Sequence, residues 1–139
     1  MAGPILVVDD DQFFRRVAAD MLSKRGYRVV IADSASQALQ EAERTPFDLV
    51  ITDVVMPVMD GMALTAKLRE RDPEQEVILV SSRTDVKGSA MALAAGVSSV
   101  LTKPVEETDL LLVTERCLER AQLRRERAQL QNENLEFTR

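Results

Sequence analysis

Short aliphatic runs and amphipathic stretches alternate along most of the chain. Each aliphatic run is nearly continuous Val, Ile and Leu, which is typical of parallel strands that are covered on both faces. Between the runs, apolar residues recur at helical spacing and predict helices that pack on the sheet. The strands are predicted at residues 5–8, 28–32, 48–52, 76–80 and 98–102. The alternation therefore predicts an α/β fold with a parallel sheet and right-handed crossovers.

Capping and stop residues bound the predicted helices. Asp11 is placed to cap the start of the first helix, and Gly26 to end it. Pro46 and Pro73 stop the second and third helices, because proline cannot continue a helix. The apolar helix faces are Phe14, Val17, Ala18, Met21 and Leu22, then Ala35, Ala38, Leu39 and Ala42, then Leu64 and Leu68, then Ala90, Leu93 and Ala94.

A fifth helix is predicted to begin near Glu106 and to continue to the end of the sequence. Beyond Leu118 the chain is rich in Arg, Glu and Gln and contains neither glycine nor proline, so nothing stops the helix. We divide the chain into a domain at residues 1–120 and a helical extension at residues 121–139. The extension is interpreted as a helical stalk or as a linker to an output domain that the sequence does not include.

The extension carries a heptad pattern with one poor position. Leu123, Leu130 and Phe137 recur every seven residues, as in a coiled coil. With these residues at the d positions, the a positions are Arg120, Arg127 and Asn134. Arginines at a positions weaken a coiled-coil dimer. A homodimer through this helix and a monomeric linker helix therefore both remain open.

Composition and charge argue against nucleic-acid-binding, membrane-spanning and secreted proteins. The formal net charge of −5 argues against binding of nucleic acid through a basic face. No apolar stretch approaches the length of a bilayer span, and the run at residues 5–8 is too short for a secretory leader. The single cysteine, Cys117, has no partner for an internal disulfide. We therefore expect a cytoplasmic chain with no contacts to membranes or nucleic acid.

The chain contains no histidine. This excludes a Ser-His-Asp triad, a histidine-ligated zinc ion, an imidazole base and a phosphohistidine on the chain itself. Any chemistry has to rest on carboxylates, hydroxyls, lysine and a hard metal ion.

Candidate chemistry lies at the carboxyl ends of three predicted strands. The first strand leads into Asp9 and Asp10, the third into Asp53 and the fifth into Lys103. In open α/β sheets this edge is where ligands bind. Three carboxylates repel one another there unless a cation lies among them, and their hard oxygens favour Mg²⁺. Asp11 is interpreted as a helix cap and not as a ligand.

Five motifs follow one another at the ends of the predicted strands. They are Ile5 to Asp11, Asp48 to Pro57, Asp60-Gly61, Ser81 and Lys103-Pro104. Together they resemble the receiver domain of bacterial two-component response regulators, from about residue 3 to residue 120. The resemblance implies a flavodoxin-like (βα)5 fold with strand order 2-1-3-4-5, here with an extended C-terminal helix.

The resemblance also implies a signalling phosphoprotein in which Asp53 is the phosphoacceptor. A histidine kinase or a phosphotransfer protein would donate the phosphoryl group, and the domain would then switch conformation. Lys103 would pair with one phosphoryl oxygen, and the Ser81 hydroxyl would donate to another. The domain would catalyse its own phosphorylation and slow autodephosphorylation without being a conventional enzyme.

The same resemblance implies a Mg²⁺ site. Asp10 and Asp53 would bind the ion directly, and Asp9 would help through a water molecule. The backbone carbonyl of Val55 would supply a further oxygen.

Some positions depart from the family's pattern and support an alternative. Val100 stands where the family usually has Tyr or Phe, and Ser82 replaces a small apolar residue. We therefore do not expect an aromatic side chain to transmit phosphorylation by changing its rotamer. The fifth helix is the expected element that transmits the signal. The alternative is an adaptor of receiver shape that binds partners without phosphorylation. A Mg²⁺ hydrolase is disfavoured, since no second carboxylate follows two residues after Asp53.

Overall fold

The structure, a computed structural model, describes residues 3–82 and 95–137. Five strands form one parallel sheet in the order β2-β1-β3-β4-β5, which confirms the predicted topology. Each predicted strand is present within one residue of its expected bounds. The strands are β1 (Ile5–Val8), β2 (Val29–Ala32), β3 (Leu49–Asp53), β4 (Glu76–Ser81) and β5 (Ser99–Thr102).

Four helices are described, and side chains cap the first three. The helices are α1 (Gln12–Ser23), α2 (Ala35–Arg44), α3 (Gly61–Arg71) and α4 (Glu107–Phe137). Asp11, Ser34 and Asp60 each accept a backbone N–H at a helix start, which confirms Asp11 as a cap. Gly26 ends α1 as predicted: it has φ of 85°, its N–H donates to the carbonyl of Ser23 at 2.9 Å, and the N–H of Tyr27 donates to that of Leu22 at 3.4 Å. The predicted fourth helix, at Ala90, Leu93 and Ala94, falls outside the described residues.

The sheet separates two apolar layers. Alternate residues of a strand point to opposite faces, so Ile5 and Val7 pack against α1 and α4 while Leu6 and Val8 pack against α2 and α3. Buried strand residues on both faces explain the continuous aliphatic runs of the sequence. In the described part of the chain, no helix is long and apolar enough to cross a membrane.

The predicted fifth helix is α4, a single helix of 31 residues. A buried carboxylate holds it against the amino edge of the sheet. Glu76 begins β4, and its side chain is only 6% exposed. Its Oε1 accepts from Arg120 Nη2 at 2.9 Å and from Ser98 Oγ at 2.8 Å, and Arg124 Nη1 lies 2.6 Å from its Oε2. We call these four residues the Glu76 cluster.

Further contacts hold α4 beyond the cluster. Arg124 also donates to the backbone carbonyl of Glu74 at 2.8 Å, and Arg125 pairs with Asp48. These contacts pass the boundary predicted at residue 120 and reach Arg125. Arg120, which takes an a position of the predicted heptad, pairs with Glu76 of its own chain.

The cluster determines the ionisation of two buried groups. Burial by itself raises the pKa of Glu76, but hydrogen bonds from Arg120, Ser98 and Arg124 outweigh it and hold this pKa below its ordinary value of 4.5. Burial, together with the negative charge of Glu76, raises the pKa of the Cys117 thiol to about 11. The thiol is therefore protonated and buried, and it lies 3.3 Å from Arg120 Nη2.

We expect Glu76→Gln to lower the free energy of unfolding by about 2 kcal/mol near pH 7, because two guanidinium groups lose their carboxylate. The pKa of Glu76 is lower in the folded than in the unfolded chain. Its stabilisation is therefore complete above the ordinary value of 4.5 and is lost as the pH falls through the lowered folded value. Urea unfolding of both proteins at about pH 7 and about pH 3 measures the difference, which should shrink in acid.

Glu74→Gln is the matched control. Glu74 is 70% exposed and lies 3.5 Å from Arg124, so its loss should cost about 0.5 kcal/mol or less. Equal effects of the two substitutions, or a difference that does not change with pH, would contradict this account of the cluster.

Candidate functional site

The carboxyl edge of the sheet brings three acidic side chains together. Asp9 and Asp10 follow β1, and Asp53 is the last residue of β3. Val8 pairs with Thr52 in the parallel register, so the two strands end side by side. One carboxylate oxygen from each acid lies within 4.8 Å of the others. The acids that the sequence singled out therefore form one cluster.

Lys103 joins this cluster from the end of β5. Its Nζ donates to Asp9 Oδ2 at 2.9 Å and to Asp53 Oδ2 at 3.2 Å. Burial lowers the pKa of Lys103, but the hydrogen bonds and charges of the two carboxylates outweigh it and raise this pKa above its usual range. The ammonium group is therefore charged and points at both acids.

The three carboxylates differ in environment. Asp9 is fully buried, and its Oδ1 accepts the backbone N–H of Asp11 at 2.9 Å. Burial raises the pKa of Asp9, and the charge of Asp53 adds to this, although hydrogen bonds from Asp11 and Lys103 act against it. Asp10 is exposed and Asp53 is partly buried.

The donor set fits a hard divalent cation. All three candidate ligands are carboxylates, and magnesium prefers oxygen ligands and takes only one or two carboxylates from a protein. A cation at this position would offset the repulsion between neighbouring acids, which the single ammonium group of Lys103 does only in part.

The backbone after β3 holds Asp53 in place. Val55 donates its N–H to Asp53 Oδ1 at 3.2 Å, and Gly61 donates its N–H to the carbonyl of Val54 at 2.8 Å. A Cβ atom on Gly61 would lie 2.2 Å from the backbone oxygen of Asp53. The backbone of Gly61 therefore approaches that of Asp53 closely, and no larger residue fits there without movement.

Ser81 lies next to the cluster at the end of β4. It is buried and pairs with Thr102, and its carbonyl accepts the backbone N–H of Lys103 at 2.8 Å. Asp53 pairs with Val80, so Ser81 follows the residue directly opposite the acid. The Lys103-Pro104 peptide bond is cis.

Two residues at this edge escaped the sequence analysis. The Nζ atom of Lys103 lies 4.6 Å from the centroid of the Phe14 ring, and Arg15 Nη1 donates to the carbonyl of Asp9 at 2.6 Å. Both residues lie in the first turns of α1, directly after the acids. Their position after Asp9 and Asp10 was the available signal, but the helical spacing of Phe14 indicated only a core residue.

The loop between β3 and α3 contains a strained residue. Val58 has φ of 69° and is fully exposed, and Met59 donates its N–H to the carbonyl of Pro57 at 2.8 Å. This is a γ-turn of the strained, positive-φ kind. A β-branched residue is poorly suited to it, and no apolar contact of its side chain offsets the strain.

The sheet order and the acidic cluster define a flavodoxin-like α/β protein with a site at the carboxyl edge of its sheet. Comparison with known proteins agrees with this class. The chain belongs to the response regulator receiver domain family, whose family model matches residues 5–115. It is therefore a receiver domain of two-component signal transduction.

Relatives of two lengths match the chain. It is 33% identical over 114 residues to the response regulator receiver protein CpdR from Brucella abortus, covering 82% of this chain and 95% of CpdR. It is 35% identical over 117 residues to the transcriptional regulatory protein GlrR from Escherichia coli. That match covers 84% of this chain but only 26% of GlrR.

Solved structures give the same result. A response regulator receiver domain protein from Clostridium thermocellum matches with a TM-score of 0.82 and 28% identity, covering 87% of this chain and 98% of the other. NtrX from Brucella abortus, in a complex with ADP, matches with a TM-score of 0.86 and 32% identity. The match to NtrX covers 94% of this chain and 30% of NtrX.

Val58→Asn should raise the free energy of unfolding by about 1 kcal/mol, because asparagine adopts positive φ at lower cost than a β-branched residue. Thermal or urea unfolding measures the gain. Val55→Asn is the control in the same loop, since positive φ among the described non-glycine residues occurs only at Val58. An unchanged or lower stability of Val58→Asn would show that the turn carries no such strain.

Proposed function

We propose that Asp53 accepts a phosphoryl group in a Mg²⁺-dependent reaction. The observation that carries this proposal is the convergence of three carboxylates and one ammonium group at a single sheet edge. Asp10 and Asp53 are the proposed direct metal ligands, together with the backbone carbonyl of Val55. Asp9, which is fully buried whereas Asp10 and Asp53 are not, acts through a water molecule.

The roles of the residues follow from the chemistry of phosphoryl transfer. Charge in the transition state spreads over the phosphoryl oxygens, so catalysis consists mainly of alignment and positive charge. A carboxylate oxygen of Asp53 forms the new bond to phosphorus while the bond from phosphorus to the donor nitrogen breaks, and the electron pair stays on that nitrogen. A carboxylate nucleophile needs no general base, because it carries no proton that has to be removed. When bound, Mg²⁺ neutralises charge on the phosphoryl oxygens.

Lys103 supplies positive charge to the phosphoryl group during transfer, and both Lys103 and Ser81 bind that group afterwards. The Lys103 ammonium, which now donates to Asp53 Oδ2, donates to a phosphoryl oxygen instead. The Ser81 hydroxyl donates to another oxygen, and the domain switches conformation. New acceptor oxygens are the source of this switch, as in other phosphorylation-driven changes.

The proposed donor is the phosphohistidine of a histidine kinase or phosphotransfer protein. A groove of about 390 Å³ lies beside Lys103, between α1 and the start of α4. Its walls are mainly apolar, and Phe13 on its rim is 76% exposed. An exposed aromatic beside an apolar groove is typical of a surface that binds a protein. The cytoplasm, where such donors act, is the proposed location.

Asp53→Asn should abolish labelling by a small-molecule phosphodonor such as acetyl phosphate in the presence of Mg²⁺. Intact-protein mass spectrometry should show one added phosphoryl group on the wild-type chain and none on the variant. Asp11→Asn is the matched control, because asparagine also caps helices and Asp11 is outside the proposed site.

The same experiment separates the two functions that the sequence left open. Labelling that depends on Asp53 supports the phosphoacceptor. Wild-type protein that stays unlabelled with donor and Mg²⁺ would support the adaptor that works without phosphorylation.

We also propose that residues 121–139 form a linker from the receiver domain at residues 1–120 to an output domain, and that two copies pair through it. Leu123 and Leu130 are 55% and 59% exposed on the side of α4 that faces away from the sheet. In the same heptad, Glu126 takes a g position and Arg127 an a position. The two leucines favour pairing, and the charge of Arg127 in the seam weakens it.

The double variant Leu123→Asp, Leu130→Asp should be monomeric at concentrations where the wild-type chain self-associates, because it places charge in the apolar stripe. Sedimentation equilibrium over a range of concentrations measures this. Gln122→Asp, which adds a charge outside the stripe, should leave association unchanged. A wild-type chain that is monomeric at every concentration would support the linker without pairing.

A further inference from the structure

The ring of Phe14 forms the third side of the Lys103 environment. Two sides are the carboxylates of Asp9 and Asp53, at 2.9 and 3.2 Å from Nζ. On the remaining side, the ammonium lies 4.6 Å from the centroid of the Phe14 ring, within the range of a cation–π interaction. Phe14 itself is partly buried and packs against the layer between the sheet, α1 and α4. The ring is thus held by the core while its face meets the charge.

A ring face and a carboxylate interact differently with a lysine ammonium group. It attracts the positive charge through its quadrupole, but it does not compete strongly for the N–H donors. An ammonium group has three donors, and here two of them point at Asp9 and Asp53. The ring therefore fixes the position of Nζ and leaves the donors for oxygen atoms.

Lysine needs such a partner because its side chain is long and flexible. Only 26% of the Lys103 side chain is exposed, so the ammonium moves within a small volume, and two carboxylates and the ring face set its place there. If Asp53 is esterified, its carboxylate charge is lost and one of the two attractions changes. The attraction to the Phe14 ring does not depend on the charge of Asp53.

We propose that Phe14 is a positioning residue that holds the Lys103 ammonium in line with the acceptor during phosphoryl transfer. This proposal rests on the proposed function of Asp53. It assigns a role in the reaction to an aromatic residue whose sequence position indicated only core packing. Leucine at this position would keep the apolar packing and lose the ring face.

The first test compares rates of Asp53 labelling by acetyl phosphate at saturating Mg²⁺. Phe14→Leu should slow labelling roughly 3- to 10-fold, the range that loss of one cation–π contact predicts. Phe14→Tyr keeps the ring face and should restore the wild-type rate. Thermal unfolding of each variant verifies that the fold is kept. A wild-type rate in Phe14→Leu would overturn the proposal.

A double-mutant cycle distinguishes positioning from packing. In a Lys103→Met background no ammonium is present, so Phe14→Leu should have no further effect on the residual rate. An equal slowing in both backgrounds would show that Phe14 acts through packing alone, and would overturn the proposal.

A spectroscopic readout works without donor or metal. The ε-methylene protons of Lys103 should show an upfield ring-current shift in NMR spectra of the wild-type chain and of Phe14→Tyr, but not of Phe14→Leu. An absent shift in the wild-type chain would overturn the proposal. If the shift is present but the wild-type chain is not labelled at Asp53, the proposed function fails and the role in transfer fails with it, while the contact itself stands.

Discussion

The ammonium group of Lys103 lies between two carboxylates that come from different strands, and the organisation of the functional edge depends on this arrangement. Asp9 is fully buried, and burial alone disfavours its charge. The positive charge at 2.9 Å makes an ionised Asp9 tolerable, and the contact at 3.2 Å ties Asp53 to the same centre. The parallel register of β1 and β3 is what places these acids side by side. A sheet with helices on both faces therefore positions the charged groups of this edge.

Most of the fold could be predicted because its signals are local. Continuous aliphatic runs marked the strands, and the caps and prolines marked the helix bounds. The acids were recognisable since they follow strands whose ends meet at one edge. Gly61 also carried a readable signal, because only glycine permits so close a backbone approach.

The parts that escaped prediction depend on partners that are distant in sequence. Glu76 looked like the polar start of a strand, and Arg120 looked like a poor heptad position. Only the packing of α4 across the sheet makes them an ion pair. Phe14 is a core residue by its spacing, and its contact with Lys103 depends on how α1 meets the end of β5. The positive φ of Val58 follows from the closure of its loop, and valine is not a residue type that indicates positive φ.

Strand β4 connects the two charged regions of the domain. Its last residue, Ser81, adjoins the acidic edge, and its first, Glu76, holds α4 at the opposite edge. The helix and the site thus contact opposite ends of the same strand. This chain covers 26% of the transcriptional regulatory protein GlrR, which is therefore a longer protein.

The state of the lone cysteine has a practical consequence. Cys117 is buried, and its thiol has a pKa of about 11, so it reacts poorly with maleimides and other thiol reagents at neutral pH. The natural chain thus behaves as a cysteine-free background for surface labelling. A cysteine introduced on the exposed side of α4 and another in the loop after β3 can carry a pair of dyes or spin labels. Distances between helix and site then become measurable in solution while Cys117 stays in place.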